Sequence, residues 1–298
     1  MPTVKFIKSI KEVYNSTDYP SESYSGEYVL EYDGVGRLTE IKFYEAGSSN
    51  DPGSLKLTYG TNTVSMEMIS YWEDDEELPG IMGALPSKSV ANHKKRPTLL
   101  RALNPSTKAE GDNYYKVNAT VTLNSDGYAV TGKAVEYEVE SGDASIWQSD
   151  WIATYDNGYL KNISYKWTDP DDGYEDTSLY TCTWSNGNMT SVKLDEYLSS
   201  VAQYNTSYAN SDIMNLDINW FAYDDETYHF LDEYQFFNIM GLYGKRSANL
   251  VVSTVETYGS SKYTMNYTYK FDSEGCVTEL VQKSSSGGST TTFTFSYK

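Results

Sequence analysis

Along most of this chain apolar and polar residues alternate one by one, which is the period of a β-strand. Tyr28, Leu30 and Tyr32 share one face, with Val29 and Glu31 on the other. Tyr115, Val117, Ala119, Val121 and Leu123 alternate with Lys116, Asn118, Thr120 and Thr122. Ile163, Tyr165 and Trp167 alternate with Ser164 and Lys166, and Tyr180, Cys182 and Trp184 with two threonines. The clearest run sets Tyr263, Met265, Tyr267, Tyr269 and Phe271 against Thr264, Asn266, Thr268 and Lys270. One face is apolar and aromatic and the other is wet, the pattern of antiparallel sheets; a buried parallel sheet would show continuous apolar runs.

Turn signals punctuate the strands. They read Tyr32-Asp33-Gly34-Val35-Gly36, Asn124-Ser125-Asp126-Gly127, Tyr155-Asp156-Asn157-Gly158, Trp184-Ser185-Asn186-Gly187 and Phe271-Asp272-Ser273-Glu274-Gly275. Short hairpin loops need residues at positive φ, which Gly, Asn and Asp tolerate best. An aromatic precedes most of these turns, and an aliphatic residue resumes shortly after the glycine.

Two segments break the alternation. Residues 74–85 and 224–243 both begin acidic, and they carry Ile81-Met82-Gly83 and Ile239-Met240-Gly241. Acids at the start and Gly at the stop suit a short helix. Phe230, Leu231, Tyr234, Phe237 and Met240 make 226–240 the better helix. The breaks expose a duplication: Trp72 precedes the first and Trp220 the second, with Lys88 and Asn92 after one and Lys245 and Asn249 after the other. The expected fold is all-β, a curved antiparallel meander of hairpins, an open sheet or barrel-like. It is one continuous architecture of two pseudo-repeated halves, 24–148 and 149–298, each with a short helix, behind an N-terminal segment 1–23.

Composition narrows the function classes. Aromatics make 15% of 298 residues, with 29 tyrosines, so the chain is not disordered. The formal charge of −19 repels phosphate backbones and anionic lipid, which argues against nucleic acid. Two cysteines, Cys182 and Cys276, and two histidines, His93 and His229, make neither a disulfide scaffold nor a zinc module. No stretch approaches the ~20 apolar residues of a membrane helix. A transmembrane barrel fits the alternation, but the strands read as shorter than the ~9–11 residues that cross a bilayer. Residues 1–20 lack the apolar core of a signal peptide.

The hairpin motif, the aromatic before each turn and the Ile-Met-Gly…Lys…Asn break resemble exported lipoproteins of Bacteroides-type gut bacteria, whose domain of unknown function is described as porin-like. The resemblance covers roughly residues 24–298. It implies a curved sheet or barrel, export to the periplasm or outer-membrane surface, and a lipid anchor as the only link to the membrane. The sequence shows no lipobox cysteine, so the anchor is an implication of the resemblance alone. The resemblance brings no catalytic residues.

The chemistry written in the residues is sparse. There is no Gly-x-Ser-x-Gly elbow, dinucleotide fingerprint or phosphate loop. No catalytic residue is assigned, although paired carboxylates acting on a polysaccharide remain the enzymatic alternative. The basic loop within 86–112 reads as a solvated crossover. Asp169, Asp171, Asp172 and Asp176, around Gly173, are the one calcium candidate, as hard cations take several oxygens on a tight loop; the plain reading is a soluble hairpin tip. Tyr165, Trp167, Tyr180 and Trp184 are expected to cluster across one hairpin as a platform for a glycan or peptide. The plain alternative is that this face is core. The expected function is therefore an exported, lipid-anchored, non-enzymatic binding or surface protein; the other alternative is an outer-membrane β-barrel.

Overall fold

The computed structural model describes residues 4–17, 23–45, 53–72, 113–140, 143–170, 173–195, 198–211, 213–223 and 235–298. Sixteen antiparallel strands pair in sequence order and close into a barrel. They are β1 Ile7–Ser16, β2 Tyr24–Tyr32, β3 Leu38–Glu45, β4 Gly53–Tyr59, β5 Thr63–Trp72, β6 Asn113–Leu123, β7 Ala129–Glu140 and β8 Asp143–Asp156. There follow β9 Tyr159–Thr168, β10 Glu175–Ser185, β11 Asn188–Leu194, β12 Leu198–Ala209, β13 Asn249–Tyr258, β14 Ser261–Phe271, β15 Val277–Ser284 and β16 Ser289–Tyr297. The meander thus closes rather than staying open. The closing seam joins β16 to β1, in register from Ile10 opposite Phe295 to Ser16 opposite Ser289. Residues 7–16 are therefore a stave of the wall. Their alternation is masked by a register shift between Ile7 and Ser9 and by Glu12, which points inward and is fully buried. The boundary drawn between residues 148 and 149 falls inside β8, and both sides belong to one wall.

The alternating apolar residues face inward. Ile10, Tyr28, Leu30, Ile41, Phe43, Leu55, Met66, Val117, Val121, Ile163, Val192 and Phe293 are all buried. The outward face is polar and carries cross-strand ion pairs: Lys42 with Glu31 (2.7 Å), Lys116 with Glu67 (2.8 Å), Lys133 with Asp150 (3.0 Å), Lys166 with Glu175 (2.6 Å) and Lys270 with Glu279 (2.8 Å). The strands run from 7 residues in β4 to 14 in β8, and most reach bilayer-spanning length, so short strands do not exclude a membrane barrel as the sequence suggested. The charged exterior is the stronger argument. Lys or Arg on a lipid-facing wall costs about 2–4 kcal/mol at the bilayer midplane.

The turns with the Asp/Asn-Gly signature, between β2 and β3, β6 and β7, β8 and β9, β10 and β11, and β14 and β15, all lie at one end of the barrel, the turn end. At this turn end, Asp33, Asn124 and Asp272 use the same device: the side-chain oxygen accepts from the backbone N–H groups two and four residues on. Gly36, Gly127 and Gly275 then take positive φ, of 86°, 84° and 85°. Asn157-Gly158 and Asn186-Gly187 are two-residue turns with both residues at positive φ, as the right-handed twist of a hairpin requires.

Tyrosines and a tryptophan on the strands that run toward the turn end have a structural purpose. In β1, β3, β7, β9, β11, β13 and β15 a register shift opens the start of the strand. In each, a carbonyl at the shift accepts a hydrogen bond from an aromatic on the next strand. Tyr32 donates to Ile7 (2.8 Å), Tyr59 to Leu38 (2.7 Å), Tyr155 to Ala129 (2.5 Å) and Trp184 to Leu160 (2.7 Å). Tyr204 donates to Met189 (2.5 Å), Tyr269 to Val251 (2.7 Å) and Tyr297 to Val277 (2.6 Å). The exception is informative. β5 pairs with β4 without a shift, and the neighbouring β6 ends on Leu123, which has no hydroxyl. A bulge leaves a ladder carbonyl unpaired, and a buried unpaired carbonyl is costly. The aromatic hydroxyl or indole satisfies it, and where the bulge is missing the donor is missing too. Burial pushes the tyrosine hydroxyls of this girdle up in pKa, that of Tyr59 to about 12.

Candidate functional site

Sixteen strands in an open circle would leave a wide lumen. Here an insertion between β12 and β13 enters it. Residues 210–223 and 235–248 carry two short helices, α1 Asn219–Ala222 and α2 Gln235–Ile239. α2 falls within the helix expected over 226–240; residues 226–234 of that expectation lie outside the described residues, as do residues 74–85. The insertion is a plug inside the wall. Phe221 packs edge-on against Phe293 and Phe295, with ring centroids 6.1 and 5.5 Å away. Gln282, inward on β15, donates to the carbonyls of Phe221 (2.6 Å) and Ala222 (3.1 Å).

The plug is sewn to the turn end by backbone and side chain alike. Lys245 N–H donates to Gly158, Ala248 to Gly187 and Ala129 to Leu242. Arg246 donates to three successive carbonyls, Met214 (2.8 Å), Asn215 (2.9 Å) and Leu216 (3.3 Å). Five donors on a planar, permanently charged group suit such a clamp. Trp151, almost fully buried in the wall, donates through Nε1 to the hydroxyl of Tyr243 on the plug. Gly132 makes this tryptophan's position accessible: a Cβ there would lie 2.0 Å from Trp151 Cε2.

A cleft remains at the turn end between the plug and the hairpins β8–β9 and β10–β11. Its empty volume is about 350 Å³, counted with the part open to solvent. Trp184 and Trp220 line it with Tyr223, and Asp217, Asn238, Lys245 and Ser247 supply its polar groups. The Trp184 indole is fixed by its bond to Leu160 and rests 4.7 Å, centre to centre, from Tyr159. Trp220 meets Tyr223 edge-on at 5.2 Å. Asp217 is buried and accepts from Asn210 Nδ2 (2.8 Å) and the Asn219 N–H (3.2 Å). Lys245 is exposed, with its ammonium 5.0 Å from the centre of the Tyr159 ring.

Towards the opposite end the inner wall turns polar. Glu12 accepts from the hydroxyls of Tyr24 and Tyr28. Ser149 lies 2.6 Å from the Tyr165 hydroxyl and donates to Glu136 at 3.4 Å. Thr254 and Tyr267 pair at 2.8 Å. Inward carboxylates on β1 and β7 interrupt the alternation that sequence reading relies on, which is why this belt was not foreseen.

The expected aromatic quartet divides. Tyr165 and Tyr180 are neighbours on the inner face of β9 and β10, and both are buried. Trp167 lies opposite Asp176, far from the turn end, and meets Tyr174 edge-on at 5.9 Å. Trp184 sits at the turn end beside Leu160. The register therefore puts about eight residues, roughly 26 Å, between the two tryptophans. Trp184 finds a different companion, Trp220, which the sequence showed only as a marker of duplication. Of the calcium candidates, Asp171 and Asp172 lie outside the described residues. Asp169 and Gly173 bond to each other through backbone, and Asp176 accepts from Thr177 N–H. Among the described residues no three His, Cys, Asp or Glu side chains converge to hold a metal ion. Cys182 and Cys276 are both free and buried, and burial pushes the Cys182 thiol up to about 12. His93, His229 and the basic loop lie outside the described residues.

The fold has counterparts among solved structures. A porin-like protein from Bacteroides uniformis is 16% identical over the whole of both chains, with a TM-score of 0.58. A porin-like protein from Bacteroides vulgatus is 11% identical over 99% of both chains, with a TM-score of 0.60. At these identities the likeness is one of fold. No protein-family model matches the chain, and no curated protein does.

Proposed function

We propose that this chain is a non-enzymatic, exported binding protein of the bacterial cell envelope, carried on a lipid anchor with its barrel in water, and that its ligand is a glycan or a peptide. The observation that carries this reading is the inversion of the wall. A pore-forming barrel is apolar outside and polar within. This one sets ion pairs such as Lys116–Glu67 outside and keeps Phe43, Phe293 and Trp151 inside. The plug then occupies space that a channel would leave to water. Envelope location and the anchor draw on the hairpin resemblance and on the fold shared with the Bacteroides porin-like proteins.

The test has two arms. Added to a planar lipid bilayer, the protein is expected to give no conductance steps; stepwise conductance would overturn the non-pore reading. Screened on glycan and peptide arrays, the intact chain is expected to retain specific members of one of them. Retention of nothing, or turnover of an arrayed glycan, would remove the binding-protein reading.

A further inference from the structure

The outer wall is not uniform in charge. On β2–β10, Lys42, Lys116, Lys133 and Lys166 each pair with a carboxylate on a neighbouring strand. On β11–β16, Lys193, Lys262, Lys270 and Lys283 face out, against one outward carboxylate among the described residues, Glu279, which is taken by Lys270 (2.8 Å). Glu256 of β13 turns inward beside Ser200, which is fully buried. Lys193, Lys262 and Lys283 are exposed and have no ion pair among the described residues. Asp195, just past the end of β11, is turned back to the Leu179 N–H (2.9 Å). On a chain of formal charge −19 this is a local surplus of positive charge. We propose that this face binds an anionic polysaccharide laid flat along the wall, an inference that rests on the binding-protein reading and gives it a surface and a ligand class.

The strand register sets the spacing. Lys193, Ser199, Thr257 and Lys262 stand side by side across β11, β12, β13 and β14. Three strand spacings put the two lysines about 14 Å apart. Lys283 lies opposite Asn266, itself one helix-free run of β14 away from Lys262, so this lysine too is about 14 Å distant. Lysines so placed on a convex wall suit a ligand that carries several charges, not one phosphate or one carboxylate. A polymer lying on a wall needs open surface and no cavity. The positions between the lysines, Ser199, Thr257 and Asn266, each offer a donor and an acceptor, as sugar hydroxyls do. No aromatic stands between them on this side, so the base stacking that holds single-stranded nucleic acid has no platform. A lipid surface would gain only about 1 kcal/mol per lysine, and the one well-exposed apolar side chain on these strands, Val201, is no anchor. Acids on the opposite wall are screened, since the Debye length is about 8 Å at physiological ionic strength.

The experiment is calorimetry on the full chain with polygalacturonate, dextran sulfate, uncharged dextran, phosphatidylglycerol vesicles and an oligothymidylate as probes. At least one of the two anionic polymers should bind and dextran should not. Vesicles and the oligonucleotide should bind at least tenfold more weakly than that polymer. Raising salt from about 50 to 200 mM should weaken the polymer roughly tenfold, as three neutralised charges imply. Lys262→Glu alone should weaken it at least fivefold. Lys193→Gln, Lys262→Gln and Lys283→Gln combined should weaken it at least tenfold, with urea unfolding unchanged because all three side chains are exposed. Lys133→Gln with Lys166→Gln, which removes two paired lysines, should change binding less than twofold. No binding to either anionic polymer, equal binding to dextran, a preference for vesicles or the oligonucleotide, or binding that survives the single and the triple substitution would overturn the assignment. The arrays decide the binding-protein reading separately: neutral glycans or peptides retained there, with both anionic polymers ignored, would remove this face and leave that reading standing.

Discussion

Replacing Tyr155 with Phe removes one oxygen and leaves the ring in place. That oxygen donates at 2.5 Å to the carbonyl of Ala129, a residue with no exposed surface, at the register shift that opens β7. The variant leaves a buried acceptor without its donor, a cost of about 1–3 kcal/mol. With an unfolding entropy of roughly 2.1 cal/mol/K per residue, a chain of this length should lose about 2–5 °C in Tm. Tyr128 provides the control. It stacks on Tyr155 with centroids 5.4 Å apart, and its hydroxyl caps no bulge among the described residues, so Tyr128→Phe should change stability by less than about 0.5 kcal/mol. Both variants would be compared with the parent by urea unfolding followed by circular dichroism. Equal midpoints for Tyr155→Phe and Tyr128→Phe would refute the idea that the aromatic girdle serves the bulges.

Other expectations follow from the same geometry. Arg246→Ala strips three plug carbonyls of their donor; limited proteolysis should then cut within residues 211–248 well before the wall, and Arg246→Lys should rescue little because an ammonium cannot span the three acceptors. Gly132→Ala drives a Cβ into the buried Trp151 ring and should cost about 1–3 kcal/mol in urea unfolding, whereas Gly127→Ala, with open space around its Cβ, should show only the strain of its positive φ. The Asp33 carboxyl is held below its usual value, chiefly by the backbone N–H of Arg37, so NMR titration should find its midpoint below 3.8; its contribution to stability is present above the unfolded value and lost as pH falls through the folded one. The girdle tyrosines are raised, so their contribution is present below pH 10 and lost as pH rises through the folded values, near 12 for Tyr59; absorbance at alkaline pH should show them ionising after exposed tyrosines.

Much of the wall was legible because antiparallel strands with one buried face write a period of two. Tyr263 to Phe271 reads as β14 with its inner residues correctly on one side. The turns were legible for a local reason, since Asp33, Asn124 and Asp272 carry their own hydrogen-bond acceptors. Closure was not, because it depends on β1, where a bulge and an inward Glu12 hide the period. The helix expectation over 226–240 came from spacing, an acidic start and a glycine stop; α2 falls within it, and its packing inside a barrel is a tertiary fact that no local pattern encodes.

The cleft was half visible. Trp184 stood out as an aromatic on a strand face, but pairing it with Trp167 ignored register. The two lie on adjacent strands of one hairpin yet near opposite ends of it. Its companion Trp220 comes from a segment 36 positions away in sequence, brought alongside only because the plug folds back to the tips of β8–β9 and β10–β11. The aromatics before most turns were plain in the sequence, but the role of those that cap bulges needed the bulge, which strand alternation does not reveal.

The central claim is that this barrel lives in water with its apolar face turned in. Light scattering coupled to size-exclusion chromatography, on the full chain purified without detergent, tests it most directly. The protein mass should be a whole multiple of 33.6 kDa and unchanged when detergent is added, with no micelle bound. Aggregation that only detergent relieves, with a micelle travelling on the protein, would contradict it.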